Sequence, residues 1–266
     1  MHHPYCPIIS CQLREQGQDG GNGAVNERKN RYIDFLAQLG VDHAHPGGRS
    51  LSEAIIRTLP IQAVDDVLDI GCGTGATAQY LADQTKASVT GIDLHPQMVK
   101  AAKKRSEQSL NPFRVVHGSA ESLPFRDKAF DWLFSESVTA FTHLSRSLPE
   151  YFRVLRSGGQ LFAVEMTVEQ KLPEQDKRKI CDFYGVPDLY TTTEWENQLK
   201  KSGFFEVHVL EGKDFFFRQK ISEFPLSLIT KRLSEEALKI WMGHLATVNT
   251  YQSVLNYRIY HAMKKN

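Results

Sequence analysis

Four cysteines in 266 residues, at positions 6, 11, 72 and 181, show no framework spacing, so the chain does not read as a disulfide scaffold. No apolar run reaches transmembrane length, and the N-terminus lacks the apolar core of a signal peptide. The expectation is a chain without a membrane span, in a reducing, cytoplasmic compartment. A charge excess is missing too: 32 basic against 31 acidic residues leave a net charge of +1, without the basic footprint of a nucleic-acid binder. No basic tract is interleaved with aromatics, and no internal repeat is found. No catalytic triad or metal-ligand cluster stands out, and a metal site at Cys6 and Cys11 is disfavoured without partner ligands, so no metal is expected. The remaining composition, 41% hydrophobic and 24% charged, is that of a globular chain able to bury a full core as one α/β domain with additions.

Against these absences stands one stretch, Val67-Leu68-Asp69-Ile70-Gly71-Cys72-Gly73-Thr74-Gly75. Its first four residues read as a buried parallel strand that stops abruptly. Three alternating glycines then permit a tight turn and close ligand approach to the main chain. A helical pattern follows at once, so unpaired N–H groups of its first turn face the same space. Strand, turn and helix together form a cradle for a nucleotide-like ligand. Cys72 reads as a small filler inside the turn.

Around this cradle the chain alternates strand and helix. Residues 1–25, rich in Gly, Gln, Asp and Asn, are expected to form a flexible arm. Residues 26–60 hold two helices, 26–39 and 50–59. The main domain, 61–266, begins with strands at 66–70, 88–92, 113–117, 130–134 and 160–165, each in a β-then-α unit, which implies a parallel sheet with right-handed crossovers. Residues 157–159 read as a turn. A helix is expected near 174–184, and a capping box at Thr193–Glu196 starts another. Strands follow at 204–210 and 254–263, with an amphipathic helical insertion at about 215–250 between them.

Glycine turns of this kind serve dinucleotide enzymes, which prefer Gly-x-Gly-x-x-Gly, and a second class. The spacing Gly71-x-Gly73-x-Gly75, led by Asp69, resembles the first motif of the class I S-adenosylmethionine-dependent methyltransferases. Asp93 in Gly-Ile-Asp-Leu, Gly118-Ser119-Ala120-Glu121-Ser122-Leu123-Pro124-Phe125, and Phe130-Asp131-Trp132-Leu133 before Ser135-Glu136-Ser137 are similar to later motifs of that family, with Ser119 where the family pattern has Asp. The resemblance covers about residues 40–211. It is closest to the small-molecule branch that includes quinone and sterol methyltransferases, where His45-Pro46-Gly47-Gly48 also recurs. It implies a doubly wound α/β fold: a mostly parallel seven-stranded sheet with an antiparallel last strand, the Rossmann-like methyltransferase fold, plus a helical lid.

The same resemblance implies S-adenosyl-L-methionine as cofactor, with S-adenosyl-L-homocysteine as product. Asp69, Gly71, Cys72, Gly73 and Gly75 would form the cradle, and Asp93 would accept from the ribose hydroxyls. Leu94, Met98, Ser119, Ala120, Glu121 and Ser135 complete the expected cofactor contacts. An activated methyl needs chiefly an aligned nucleophile and exclusion of water, so a base is required only for a protonated acceptor. His45, His143 and Glu136 are the candidates, with His43 beside them. No Asn-Pro-Pro-Tyr or Pro-Cys follows the fourth strand, which favours a small organic acceptor, methylated on O, N or C, under a lid built from 26–50 and 215–248. Phe215, Phe216 and Phe217 are candidates for lining its pocket. Two rival readings are a non-catalytic module that binds the cofactor and an NAD-dependent oxidoreductase; the glycine spacing disfavours the latter.

Overall fold

A computed structural model describes residues 22–215 and 234–265. The described residues contain a seven-stranded sheet of order β3-β2-β1-β4-β5-β7-β6. Its parallel part comprises β1 (Asp66–Ile70), β2 (Ser88–Asp93), β3 (Arg114–His117), β4 (Phe130–Glu136) and β5 (Leu155–Val168). The last strand, β7 (Leu255–Met263), inserts antiparallel between β5 and β6 (Phe205–Leu210). From β1 the chain runs to β2 and β3 on one side and later to β4 and β5 on the other. The carboxyl ends of β1 and β4 therefore border the crevice where the strand order reverses, the usual ligand position in open α/β sheets.

Strand alternation sends side chains to two cores. On one face Leu68, Ile70 and Leu133 pack with α5 (Leu144–Val154) and α7 (Thr192–Lys201) through Leu148, Tyr151 and Trp195. On the other, Val67, Trp132 and Phe134 meet α2 (Gly48–Thr58), α3 (Ala76–Thr85) and α4 (Pro96–Glu107) through Leu51, Ile55, Leu81 and Ala102. A third group joins α1 (Asn22–Leu39) to α6 (Glu174–Tyr184) and α8 (Glu235–Tyr251). Its pivot is Tyr32, which stacks on Phe141 at 6.4 Å and meets Tyr184 edge-on at 4.9 Å. No helix among the described residues is long and apolar enough to cross a membrane.

The structure departs from the sequence reading in three places. Helix α1 starts at Asn22, inside the stretch expected to be a flexible arm; residues 1–21 lie outside the described residues. The Ser157-Gly158-Gly159 stretch is no turn: β5 runs straight through it, and a register shift between Phe130 and Trp132 absorbs the extra residues. Gly158 N–H bonds the Lys264 carbonyl and Lys264 N–H bonds the Gly159 carbonyl, both at 2.9 Å, so β7 keeps the segment extended. Of the late insertion only η-helical residues to 215 and α8 are described, and the Phe215–Phe217 side chains fall outside. Finally, the capping box sits two residues earlier than expected.

That box is Thr191 with Glu194. The Thr191 hydroxyl accepts from Glu194 N–H at 3.3 Å, and the Glu194 carboxylate accepts from Thr191 N–H at 2.9 Å. It launches the helix that buries Trp195, only 1% exposed, whose indole N–H reaches the Met166 carbonyl at 3.0 Å. Thr191→Ala is expected to cost about 1 kcal/mol, read as a Tm fall of about 2–4 °C in a thermal melt.

Candidate functional site

The glycine turn leaves β1 with Gly71, Gly73 and Gly75 all in the left-handed region, at φ +67°, +53° and +81°. Their reasons differ. A Cβ on Gly71 would lie 2.2 Å from Val138 Cγ2, so this glycine lets the loop after β4 close on the turn. A Cβ on Gly75 would lie 2.7 Å from the Phe113 ring, so this one packs α3 against its neighbours and has no place on the cavity wall. Gly73 meets nothing within 4 Å and faces open space.

Asp93, at the end of β2, holds the turn. One carboxylate oxygen accepts from Gly73 N–H at 2.9 Å, the other from His95 N–H at 2.7 Å. Burial raises its pKa, opposed by these two N–H groups. Asp69 is 2% exposed, and its Oδ2 is fully buried with no hydrogen-bond partner. Burial, with Glu136 and Asp93 adding to it, pushes this carboxyl well above the usual range. Buried carboxylate oxygens in native proteins nearly always have a donor, so an orphan beside a glycine turn marks a place for one.

These groups line a cavity of about 140 Å³. Asp69, Gly71, Cys72, Gly73, Asp93 and Met98 form its floor. Cys72 is a buried filler whose thiol is pushed up by burial. The far wall comes from Thr77 and from Glu136, Ser137 and Val138 at the end of β4. The roof is α1, through Ile33 and Leu36, and the loop carrying Val41, His43 and His45. Two non-glycine residues on this lining, His43 and Ser137, sit at φ +54° and +56°. Such strain persists only where surrounding structure holds it.

The roof is latched to the floor. Arg105 on α4 grips the Asp42 carboxylate through two bonds of 2.7 and 2.8 Å and donates Nε–H to the Thr74 carbonyl at 2.9 Å. The Thr74 hydroxyl also donates to Asp42. A second tie joins His95 to Asp34 of α1 at 3.3 Å.

At the roof–wall junction the polar groups cluster. Ser52 Oγ donates to Glu136 at 2.6 Å and lies 3.0 Å from His45 Nε2; Thr77 Oγ1 donates to the other Glu136 oxygen at 2.7 Å. His45 Nε2 is 3.5 Å from Glu136, with side chains only 4% and 10% exposed. The His43 and His45 rings are 5.9 Å apart. Burial lowers the His43 pKa, reinforced by His45 and opposed by Glu136, which favours its neutral ring.

Several expected site residues are elsewhere. Ser135 points to the opposite sheet face from Glu136, fully buried, and donates to Glu165 at 2.9 Å. Glu121 accepts from His143 N–H at 2.7 Å and pairs with Arg146 at 3.3 Å, so it caps the start of α5 and does not face the cavity. His143 precedes α5 with its side chain exposed. Ser119 and Ala120 are spent on the loop itself: Ser119 accepts from Glu121 N–H at 3.1 Å, and Ala120 packs on the core. Leu94 is 67% exposed and off the cavity wall. Sequence reasoning missed Asp42, Arg105, Ser52 and Thr77. Only Thr77 carried a local signal, its place in the first turn of the helix after the glycines.

A family model described as "Methyltransferase domain" matches residues 68–163. The uncharacterized methyltransferase YodH of Bacillus subtilis (strain 168) is 32% identical over 236 residues, 88% of this chain and 99% of its own. A ubiquinone/menaquinone biosynthesis C-methyltransferase, UbiE of Bartonella bacilliformis, is 33% identical over 179 residues, 64% of this chain and 66% of its own. Among solved structures, phosphoethanolamine N-methyltransferase 2 of Haemonchus contortus, bound to phosphomonomethylethanolamine and S-adenosylhomocysteine, superposes with TM-score 0.73 at 21% identity. That match covers 91% of this chain and 60% of the worm enzyme, and it speaks to the fold.

Proposed function

The chain belongs to the class I S-adenosylmethionine-dependent methyltransferases, and from that premise we propose that it methylates an O, N or C atom of a small organic acceptor held beneath the α1 roof. The carrying observation is the orphaned Asp69 Oδ2 beside an open Gly73 and the Asp93 carboxylate. This donor and acceptor set fits the cofactor: Asp69 would take the ammonium of the methionine part, Asp93 the ribose hydroxyls, and the Gly71–Gly73 backbone the stretch between them.

When bound, S-adenosylmethionine supplies a sulfonium methyl that is already activated for in-line displacement. The protein then has to align the acceptor and keep water out. Ile33, Leu36, Val41 and Val138 supply apolar walls for that purpose. His43, His45 and Glu136 are grouped on the lining where they could take a proton from an acidic acceptor; His143 is exposed and off the lining. Calorimetry with S-adenosylmethionine and S-adenosylhomocysteine tests the reading. Folded protein that binds neither would sink it, and tight binding without turnover across an acceptor panel would favour the non-catalytic module.

The space of about 140 Å³ beneath the roof is small beside the roughly 300 Å³ lower end of ligand pockets, so we infer that the roof shifts outward when the cofactor loads. The Arg105–Asp42 latch should then control exchange. Arg105→Ala is expected to speed S-adenosylhomocysteine dissociation several-fold, since a partly exposed ion pair contributes about 1 kcal/mol, while Tm falls by no more than about 2–4 °C. Stopped-flow tryptophan fluorescence measures this; an unchanged off-rate would detach the latch from exchange.

A further inference from the structure

We propose that His43, His45 and Glu136 form a binding site for one divalent transition metal of the zinc class, with its open positions facing the cavity. The three side chains each offer a ligand atom, and these atoms lie within 4.8 Å of one another. They come from two elements, the loop before α2 and the end of β4, and meet on the cavity lining. Among the described residues no other group of His, Cys, Asp and Glu converges this way.

The contacts around the cluster are those of two imidazoles and a carboxylate converging on one point. His45 Nδ1 lies 3.1 Å from the Pro46 carbonyl oxygen, which can only accept, so that nitrogen carries the ring proton. In a neutral ring Nε2 then presents a lone pair, toward Ser52 Oγ at 3.0 Å and Glu136 at 3.5 Å. Ser52 has one proton, and Glu136 at 2.6 Å is its nearest acceptor. Thr77 has one proton, directed to Glu136 at 2.7 Å, while His43 Nδ1 stands 3.4 Å from the same hydroxyl oxygen. With Nδ1 held by the carbonyl, the His45 Nε2 lone pair and the Glu136 carboxylate face the same point, and His43 offers a ring nitrogen beside them.

The surroundings suit a metal ion. The contact from His45 Nδ1 to a backbone carbonyl and the two hydroxyls on Glu136 are the outer-shell partners that orient metal ligands. The 3.5 Å separation of His45 Nε2 and Glu136 matches the roughly 3.3–3.4 Å edge of a tetrahedron with metal–ligand bonds of about 2.0–2.1 Å. His43, on its strained loop position, completes the set by moving inward from the present spread of up to 4.8 Å. Two imidazoles with one carboxylate suit zinc, cobalt or iron, and not magnesium or calcium. Three protein ligands leave a coordination position free, as in catalytic zinc sites. On the reading that the cavity holds the acceptor, that position would take its oxygen or nitrogen, lower that group's pKa so that its proton leaves to solvent, and hold it next to the methyl donor.

The test uses the full-length protein stripped with chelator and titrated with Co²⁺, followed by visible absorption. The expected result is one equivalent bound, with bands of a nitrogen- and oxygen-ligated ion of four or five coordination, displaced by one equivalent of Zn²⁺ and untouched by millimolar Mg²⁺. His2, His3, Cys6 and Cys11 offer other ligands in the same chain, so the variants decide the location. His45→Ala and His43→Ala should each lower affinity by 100-fold or more. Ser52→Ala, which keeps all three ligands, should lower it about 10-fold. Circular dichroism confirms that each variant is folded. No stoichiometric Co²⁺ binding by the wild type, or binding that survives both histidine substitutions, overturns the proposal. S-adenosylhomocysteine affinity is measured on the same samples: its absence in the wild type defeats the cofactor reading, whereas normal affinity without cobalt binding defeats the metal site alone.

Discussion

Asp93→Ala is expected to weaken S-adenosylhomocysteine binding by 100-fold or more while leaving the fold intact. The ribose contact alone accounts for about 1–3 kcal/mol. The structure adds a second loss, because the same carboxylate holds Gly73 N–H at 2.9 Å and His95 N–H at 2.7 Å. Without it, the turn that must receive the cofactor backbone-to-ligand is no longer pinned, and two N–H groups lose their acceptor. Together these exceed the roughly 2.7 kcal/mol that corresponds to a 100-fold change. Asp93→Asn separates the two roles. It keeps one acceptor oxygen but sets an amide against the other N–H, so an intermediate affinity is expected.

The pH dependence carries its own sign. Burial has raised the Asp93 pKa, and ribose hydroxyls prefer the ionised carboxylate. Affinity should therefore be complete at neutral pH and fall as pH drops, starting above the ordinary aspartate value of about 3.9. In the unliganded protein the raised pKa means that ionised Asp93 opposes folding as pH rises, so Asp93→Asn should change the apo Tm little. What it should abolish is most of the Tm gain on adding S-adenosylhomocysteine. An apo Tm collapse with ligand-induced stabilisation retained would reverse the assignment.

The legible parts of the site were those written in consecutive residues. Asp69 to Gly75 and Asp93 follow from spacing, because a strand end, a turn and a helix start are all local. The cavity's other half depends on pairings that no local pattern encodes. Ser135 and Glu136 are neighbours in sequence, yet strand alternation puts one behind the sheet with Glu165 and the other on the cavity wall with Ser52 and Thr77. Glu121, expected at the cofactor from the resemblance of its loop, is bonded by Arg146 and the His143 N–H, both from the start of the following helix. The capping box was misplaced since Thr191, Thr192 and Thr193 are consecutive, and only the helix start distinguishes them. Asp42 and Arg105 are 63 residues apart and look like ordinary surface charges until the roof brings them together.

Glu165 is the residue whose importance the sequence conceals most, since a strand-end glutamate reads as a simple cap. It is 0% exposed and accepts from Ser135 Oγ at 2.9 Å and from the backbone N–H groups of Thr139 and Ala140, each at 3.0 Å. These bonds fix the short helical turn Thr139–Phe141, and with it Val138, the side chain against which Gly71 closes. Burial nonetheless raises the Glu165 pKa from 4.5 to about 7. A protonated Glu165 fits the same site: its O–H donates to Ser135 Oγ, and the chain of hydroxyls from Ser135 to Thr139 at 2.6 Å and on to Tyr151 at 3.3 Å turns its protons accordingly. A folded pKa above the unfolded one means that the group's stabilisation is complete below about pH 4.5 and is lost as pH rises through about 7. Glu165→Ala should therefore do most harm at pH 5. It leaves the buried N–H groups of Thr139 and Ala140 without an acceptor at about 1–3 kcal/mol each, a loss of about 4 kcal/mol and a Tm fall of about 8–16 °C. Glu165→Gln cannot titrate, and its amide faces the Ala140 N–H. It should be less stable than the wild type at pH 5, and the gap should shrink by on the order of 3 kcal/mol by pH 8. Urea unfolding of both proteins across that range measures the gap directly. A gap that stays constant would mean that Glu165 is ionised throughout, held by its donors against the cost of burial.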